Sequence, residues 1–377
     1  MFGFNMRRLI IVLCGAGLLS SSSVFASAFQ LFEQDAASMG SYHAGYAAEA
    51  IDASTAFYNP AGLTRFNHQQ IVLAGNSVIS NFKYTGTISV DTLSNNEPQA
   101  VTAQGGSFAE VPALHYVAPL TERMNFGFSV DVPFGLMTNY GNNTALRYAA
   151  TQTSIQVIDI SPTLGIKVTD KTSFGFGPDV QSAKGEFDQV GTFSDATLDS
   201  DGINKATGTG YGYHLGGLYE FTPQTRAGIS YHSQVVHHLT GTSTFTGQLA
   251  QELGVPKSSN SRVSLTLPAY TALSAYHGYS NFAFMGSVIY TQWSVIRELT
   301  LQNVAGVTTS LEPSTTLVVT IPQHFRNTWN FAVGADYFAT EQITLRTGVG
   351  YDQTPVRENY RNVQLPDNDR YIVAFGG

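Results

Sequence analysis

Hydrophobic and polar residues alternate along most of the chain after residue 68, with a period of two. This period places successive side chains on opposite faces of a strand. The pattern is cleanest from Phe325 to Asp352, where it predicts two strands joined by a short turn. The face predicted to point outward carries Phe325, Trp329, Phe331, Val333, Ala335 and Tyr337, then Ile343, Leu345, Thr347, Val349 and Tyr351. The opposite face of the first strand carries Arg326, Thr328, Asn330, Ala332, Gly334 and Asp336.

Many predicted strands are longer than the roughly 5 to 6 residues typical of globular proteins. A soluble sandwich would show the same alternation. Long strands with aromatic residues near their ends are typical of outer-membrane barrels, so the sequence predicts an all-β fold, a transmembrane antiparallel β-barrel. Twelve strands are predicted, at residues 70–88, 107–118, 125–133, 154–168, 172–187, 208–221, 225–242, 261–279, 281–301, 325–338, 342–354 and 369 to the end.

Residues 27–68 are rich in Ala and Gly and lack this alternation. Larger barrels need a segment that blocks their lumen. We therefore expect residues 27–68 to form an N-terminal hatch inside a barrel of residues 69–377. Short turns tend to alternate with long polar loops, and the short turns are expected to face the periplasm.

Residues 1–26 have the pattern of a cleaved signal peptide, because Arg7 and Arg8 precede an apolar run and Ala26 supplies a small residue at the end. The only cysteine, Cys14, lies inside that run. Beyond it, no stretch approaches the roughly 18 apolar residues of a transmembrane helix. Only 12% of residues are charged, against about 25% in soluble domains. These features predict an exported protein of the outer membrane.

Several function classes are disfavoured. The net charge is -8 and the basic residues are scattered, so nucleic acid is not an expected partner. Enzyme motifs such as HExxH, GxSxG and phosphate-binding glycine loops are not evident. His237 and His238 are adjacent and would face opposite sides of a strand, so they cannot share a metal. We expect a non-enzyme without cofactor or metal; the alternative of a barrel enzyme requires a Ser and a His that meet on the outer wall.

Short motifs distributed over the chain support a more specific interpretation. Together they resemble the FadL-type long-chain fatty acid transporters, whose Asn-Pro-Ala hatch motif appears as Asn59-Pro60-Ala61. The order and spacing of the motifs carry the resemblance. They are residues 28–31 (AFQL), 52–63 (DASTAFYNPAGL), 111–119 (VPALHYVAP), 133–136 (PFGL), 293–294 (WS) with Leu299, 345–348 (LRTG) and 365–371 (LPDNDRY).

The resemblance implies a 14-stranded barrel that carries long-chain fatty acids passively across the outer membrane; aromatic hydrocarbon uptake is the alternative. The expected partners are a hydrophobic small molecule and outer-membrane lipid, and the chain is expected to act as a monomer. A hydrophilic porin would lack this hatch. Because only about 12 strands are predicted, the barrel is expected to lack its last strands, with an unpaired seam between 70–88 and 371–375.

The resemblance also implies ligand-binding residues. Phe29 would occupy the ligand pocket, although the first residues of a mature chain are often disordered. Arg326 matches a basic residue near the bound carboxylate, and the alternative is an ion pair with Asp336 or Asp52. Both interpretations of Arg326 stay open at this stage.

Two further basic residues are weaker candidates for ligand binding. Arg346 faces the lumen by alternation, and a structural ion pair is the favoured interpretation there. Lys184 matches a second basic position of the family. Its alternation with Phe174, Phe176 and Val180 points it outward unless a bulge intervenes.

We also expect a gate within the hatch and an exit for the ligand through the wall. Asn59, Pro60 and Ala61, together with Phe29, are expected to form a movable gate. Pro133, Phe134 and Gly135 lie where the family has an inward kink. Since proline cannot donate a ladder hydrogen bond and glycine marks bends, these three residues predict a lateral opening in the wall.

Overall fold

The computed structural model describes residues 28–90, 97–255 and 258–377, without the side chain of Asp195. The predicted signal peptide, residues 1–26, lies outside these residues. No helix in the described ranges is long and apolar enough to cross a membrane. The strands are β1 Gln70–Ile79, β2 Lys83–Ile88, β3 Gln99–Gln104, β4 Phe108–Thr121, β5 Met124–Asn139, β6 Gln152–Lys167, β7 Thr172–Phe193, β8 Asp195–Thr222, β9 Thr225–His232, β10 Val235–Gly247, β11 Ser258–Leu267, β12 Tyr270–Tyr279, β13 Phe282–Thr291, β14 Glu298–Val307, β15 Pro313–Pro322, β16 Thr328–Phe338, β17 Thr344–Asp352 and β18 Arg370–Gly376.

Within the described residues, sixteen strands form one antiparallel sheet, and β2 and β3 form a separate hairpin. The main path runs β1-β4-β5-β6-β7-β8-β9-β12-β13-β16-β17-β18. Strands β10, β11, β14 and β15 extend this wall by pairing among themselves and with β8. The predicted all-β barrel architecture is confirmed. The expectation that the last strands are lacking stays a prediction.

Several predicted strand limits are wrong. Strands β9 and β10 are separate where one strand was predicted, and the same holds for β1 with β2, β11 with β12, and β13 with β14. Strand β8 begins at Asp195, thirteen residues before the predicted start at Gly208, because β7 and β8 form one long hairpin that extends beyond the rest of the wall. Strands β3 and β15 were not predicted.

The alternation of faces is confirmed in β16. Trp329 and Val333 are 46% and 59% exposed, whereas Thr328 and Asp336 are 1% and 2% exposed. Phe325 is an exception, since it was predicted to point outward and is buried. The physical reason is that β16 begins only at Thr328, so the two-residue period does not apply to Phe325.

The hatch contains short helical segments, namely the 3-10 turns Ser38–Ser41 and Pro60–Arg65 and helix α1, Thr55–Tyr58. It packs against the inner face of the wall. Its side chains Tyr46 and Phe57 belong to one buried cluster with Tyr270 of β12. Wall glycines permit close approach: a Cβ at Gly348 would meet the backbone of Ser41. The hatch is therefore fitted tightly to this wall.

Candidate functional site

The ladder between β4 and β5 ends part of the way along both strands. Its last pair is Leu114 with Val130. Beyond it, β4 continues to Phe108 and pairs with β1, while β5 continues and pairs with β6 after a register shift between Asp131 and Phe134. Among the described residues, no ladder pair joins 108–113 to β5. The wall is thus open at the predicted kink, and β5 does not end at Pro133 as predicted.

Hydrogen bonds between the two sides close the opening at both of its ends. The Ser107 hydroxyl donates to the Met137 carbonyl at 3.0 Å, and the Asn139 amide donates to the Gly105 carbonyl at 2.9 Å. These bonds rejoin the two sides toward the loop end of the strands. The gap is therefore a window in the wall and not a continuous split.

The first residues of the hatch take the place of the missing neighbour strand. The Leu31 amide donates to the Pro133 carbonyl, and the Gly135 amide donates to the Phe29 carbonyl, both at 2.8 Å. Gln30 and Phe134 form an isolated antiparallel bridge. The kinked backbone thus keeps its hydrogen bonds, which is necessary because unpaired backbone groups are costly in lipid.

The side chain of Leu31 fills the window from the lumenal side. It is 6% exposed and clusters with Val111 and Val132 from the two sides of the gap. A Cβ at Gly135 would lie 3.0 Å from Leu31 Cδ1, so glycine at this position makes room for the leucine. A cavity of about 220 Å³ lies at this place and is lined in part by Leu31, Val111 and Val132.

Phe29 lies in an apolar compartment of the lumen above the kink. Its ring centroid is 4.9 Å from that of Trp293 and 5.9 Å from that of Phe134, and it is 1% exposed. The same cluster includes Phe325 and Leu265. Phe29 is therefore packed at the junction between this compartment and the window.

A second apolar cavity of about 410 Å³ lies among the long hairpins at the loop end of the barrel. Phe187, Phe245, Leu301, Leu317 and Ile321 contribute apolar side chains to it. Leu301 also belongs to the lumenal apolar cluster, so apolar side chains continue from this cavity to Phe29. A hydrophobic molecule would meet a largely apolar route along this line.

Arg326 makes neither of the ion pairs considered from the sequence. Its Nε donates to the Thr354 carbonyl at 3.0 Å, and its guanidinium is 3.7 Å from Asp369. Its side chain is 41% exposed. Its acidic neighbour Asp369 is also partly exposed, at 43%, whereas Phe325 is buried in the lumenal cluster.

The other two basic candidates differ from Arg326. Arg346 Nε lies 3.4 Å from Asp336, which agrees with the favoured structural pairing. Lys184 pairs in register with Gln156 and is exposed on the outer face. No bulge turns it inward, since the register from Lys184 to Val180 is continuous. Lys184 lines the cavity at the window and not the lumenal pocket.

The turn Asn59-Pro60-Ala61 packs against glycines of β6, β7 and β8. Asn59 Oδ1 accepts a hydrogen bond from the Ala61 amide at 3.0 Å, and Asn59 Nδ2 donates to the Gly217 carbonyl at 3.1 Å. A Cβ at Gly216 would meet Asn59 and Pro60. The structure therefore places this turn and the Phe29 segment at different strands.

Sequence reasoning missed two residues of the window, Leu31 and Gln34. The Gln34 side chain hydrogen-bonds both backbone groups of Val132 at 2.9 Å. The two residues stand in a segment without periodicity, so only the resemblance of residues 28–31 drew attention to their surroundings. No local signal in the sequence indicates that their partners lie about 100 residues away.

Comparison with known proteins gives matches over most of the chain. Residues 17–377 match the model of a family described as outer membrane protein transport protein (OMPP1/FadL/TodX). A long-chain fatty acid transport protein of Escherichia coli O6:H1 is 26% identical over 390 residues, which cover 95% of this chain and 84% of the relative. Outer membrane protein P1 of Haemophilus influenzae is 28% identical over 403 residues, covering 97% and 85%.

Solved structures show the same architecture. A Pseudomonas aeruginosa FadL homologue superposes with a TM-score of 0.81 at 25% identity, covering 92% of this chain and 86% of that structure. The Ralstonia pickettii toluene transporter TbuX gives a TM-score of 0.61 at 19% identity, covering 86% and 91%. The second likeness concerns the fold alone.

Proposed function

The chain belongs to the OMPP1/FadL/TodX family of outer membrane transport proteins, and from this premise we propose that it carries long-chain fatty acids. The observation that supports this proposal best is the window between β4 and β5. The side chain of Leu31 fills this window, and the window borders an apolar lumen. An apolar tail that reaches Phe29 would have lipid on the far side of one hatch segment. Passive diffusion through this window requires no cofactor and no chemistry.

The proposed path has three stages. The ligand first enters the apolar cavity among the loop-end hairpins. It then moves to the compartment at Phe29, with its carboxylate near Arg326. Withdrawal of residues 28–34 finally uncovers the window, and the ligand leaves sideways past Pro133, Phe134 and Gly135, with Lys184 at the outer rim.

The gate has a moving side and a fixed side. The moving side is the segment from Phe29 to Gln34, which is joined to β5 by two backbone hydrogen bonds and by two from the Gln34 side chain. The Asn59-Pro60-Ala61 turn is the fixed side, because it is packed against wall glycines. Opening the gate moves one short segment, whereas separating intact ladders would expose many backbone groups to lipid.

Uptake by whole cells tests the proposal. Cells without their own fatty acid transporter that express this chain should accumulate labelled oleate faster than cells with an empty vector. Oleate uptake at the empty-vector rate would contradict it. Toluene uptake measured in parallel tests the second candidate function, aromatic hydrocarbon transport, for which the absence of a charged head on the ligand would make Arg326 dispensable.

A further inference from the structure

The lumenal face of the wall changes from apolar to polar within one layer of residues. Phe134, Val157 and Ala183 stand on the adjacent strands β5, β6 and β7, in register with one another. All three are buried members of the lumenal apolar cluster that contains Phe29. They form the lowest apolar layer of the compartment on this side of the barrel.

The next layer toward the periplasm is polar on the same three strands. Asp131 pairs in register with Asp159, and Asp159 pairs with Gln181. These side chains are buried, with exposures of 0%, 1% and 5%. Gln181 Nε2 donates to Asp159 Oδ2 at 3.3 Å. We call Asp131, Asp159 and Gln181 the polar belt.

More polar groups follow below the belt. His115 Nε2 lies 3.5 Å from Asp131, and His214 Nδ1 lies 2.5 Å from Asp179. Both carboxylate oxygens of Asp131 and one of Asp159 lack a hydrogen-bond partner among the described residues. Methylene groups placed against buried polar atoms of this kind are unfavourable, because methylenes offer these atoms no hydrogen bond.

The change from apolar to polar side chains lies at the same level along β5 as the window. The register shift of β5 falls between Asp131 of the belt and Phe134 of the apolar layer. The lower edge of the window is the pair Leu114 and Val130, one residue below Asp131 along β5. The polar belt therefore stands at the level where the β4–β5 ladder ends.

We propose that the polar belt of Asp131, Asp159 and Gln181 is a floor that stops apolar tails and so directs them through the window. This inference rests on the proposed function, since it concerns the route of the same ligand. Downward movement would bring methylenes against buried carboxylates, whereas sideways movement keeps them in contact with Leu31, Val132 and lipid. The belt thereby makes lateral exit the favourable direction once residues 28–34 have withdrawn from the window.

The experiment distinguishes the effect of the polarity of the belt side chains from the effect of their size. Asp159→Ala with Gln181→Ala removes a hydrogen-bonded pair together and leaves an apolar space below Val157. Asp159→Ser with Gln181→Ser leaves a space of similar size that is polar. Each protein carries Glu122→Cys in the exposed turn after β4, labelled with a nitroxide. The ligand is stearic acid with a nitroxide near its methyl end, and pulsed EPR measures the distance between the two labels.

In the alanine variant we expect a population of tails closer to the turn by up to about 7 Å, which is two residues along a strand. The serine variant should keep the distances of the unsubstituted belt. Equal distances in all three proteins would overturn the floor and leave the transport function intact. Tails already below the belt in the unsubstituted protein would overturn both the floor and the lateral route.

A second substitution covers the case in which the alanine variant does not fold. Val157→Thr keeps the size of the side chain and places a hydroxyl in the lowest apolar layer, so the tail should move away from the turn. An unchanged distance in this variant would count against the floor. If no protein gave a dipolar interaction between the labels, the ligand would not enter the lumen, and the proposed function would fail together with the inference.

Discussion

The side chain of Gln34 pairs with both backbone groups of Val132: its Oε1 accepts from the Val132 amide and its Nε2 donates to the Val132 carbonyl, each at 2.9 Å. One side-chain amide thereby presents the donor and acceptor that a neighbouring strand would supply. The bond fastens the hatch to β5 at the lower part of the window.

Gln34→Ala should therefore weaken the closed gate. It leaves two buried backbone groups of Val132 unpaired, at a cost of roughly 1 to 3 kcal/mol for each. Hydrogen exchange of the peptide that contains Val132 should become faster, and fatty acid transfer should accelerate. Gln30→Ala is the matched control, because Gln30 bonds Thr291 and its side chain does not contact Val132 through a hydrogen bond. Equal exchange in the two variants would contradict the role of Gln34.

A cross-link between hatch and wall should stop transport reversibly. Gln30 and Phe134 form a bridge flanked by hydrogen bonds on both sides. Such a pair has its Cα atoms about 4.5 Å apart, within the range of a disulfide. In Gln30→Cys with Phe134→Cys, oxidation should abolish oleate uptake and leave oleate binding largely intact.

Reduction of the same cross-linked protein provides the control, because the two substitutions stay and only the link is removed. Uptake should return on reduction. Oleate uptake that continues in the oxidised form would show that residues 28–34 need not move.

The faces of the wall could be predicted from the sequence because the period of a strand is fixed by its geometry. That rule placed Lys184 outside and Arg346 inside, as observed. It failed at Phe325, where the strand had not yet begun. Pro133 lies at the register shift of β5, but the continuation of β5 depends on hatch residues that no local pattern connects to it.

The window and the polar belt required the register between strands. Asp131 and Asp159 are 28 positions apart in the sequence, and only strand pairing brings them side by side. Leu31 is one apolar residue in an irregular segment, and its role depends on where β4 and β5 separate. Long-range pairings of this kind leave no periodic signal in either partner.

Truncation of the Leu31 side chain should speed the exit of ligand through the window. Leu31→Ala removes apolar contacts with Val111 and Val132 and enlarges the cavity in the window. Transfer of a fluorescent fatty acid from the purified protein to vesicle lipid should become faster. Leu63→Ala is the control, since Leu63 is a fully buried hatch leucine that faces Gly127. Similar acceleration in both variants would indicate general loosening of the hatch.

Arg326→Ala should distinguish the two candidate ligands. A charge-assisted hydrogen bond contributes about 1.5 to 3 kcal/mol, which corresponds to roughly a 10- to 100-fold change in affinity. Binding of a fatty acid should weaken by this factor, while binding of an uncharged alkane should change little. Arg346→Ala is the comparison, because Arg346 already pairs with Asp336 and should affect both ligands alike. Equal loss for both ligands in Arg326→Ala would assign it a structural role.

Glu49 should make hatch docking depend on pH. Burial, with a smaller contribution from Asp336 and Asp35, raises the pKa of this hatch carboxyl to about 8. The docked hatch therefore favours the protonated acid, whereas a released hatch would have the ordinary pKa near 4.5. The stabilising contribution is complete below pH 4.5 and is lost as the pH rises to about 8. Protease sensitivity of the hatch should increase over this range.

The titratable groups near Glu49 determine the pH interval in which protease sensitivity is measured. Arg346 opposes the shift of the Glu49 pKa and Asp52 adds to it. Burial lowers the pKa of His43 from 6.5, so His43 destabilises docking only as the pH falls below that value. Burial also raises the pKa of Asp367, which accepts a hydrogen bond from the hatch residue Ala28, to about 7. The increase in cleavage between pH 7 and 8 therefore reports on Glu49. Glu49→Gln should remain docked across this interval, and an unchanged pH profile in that variant would assign the transition to another group.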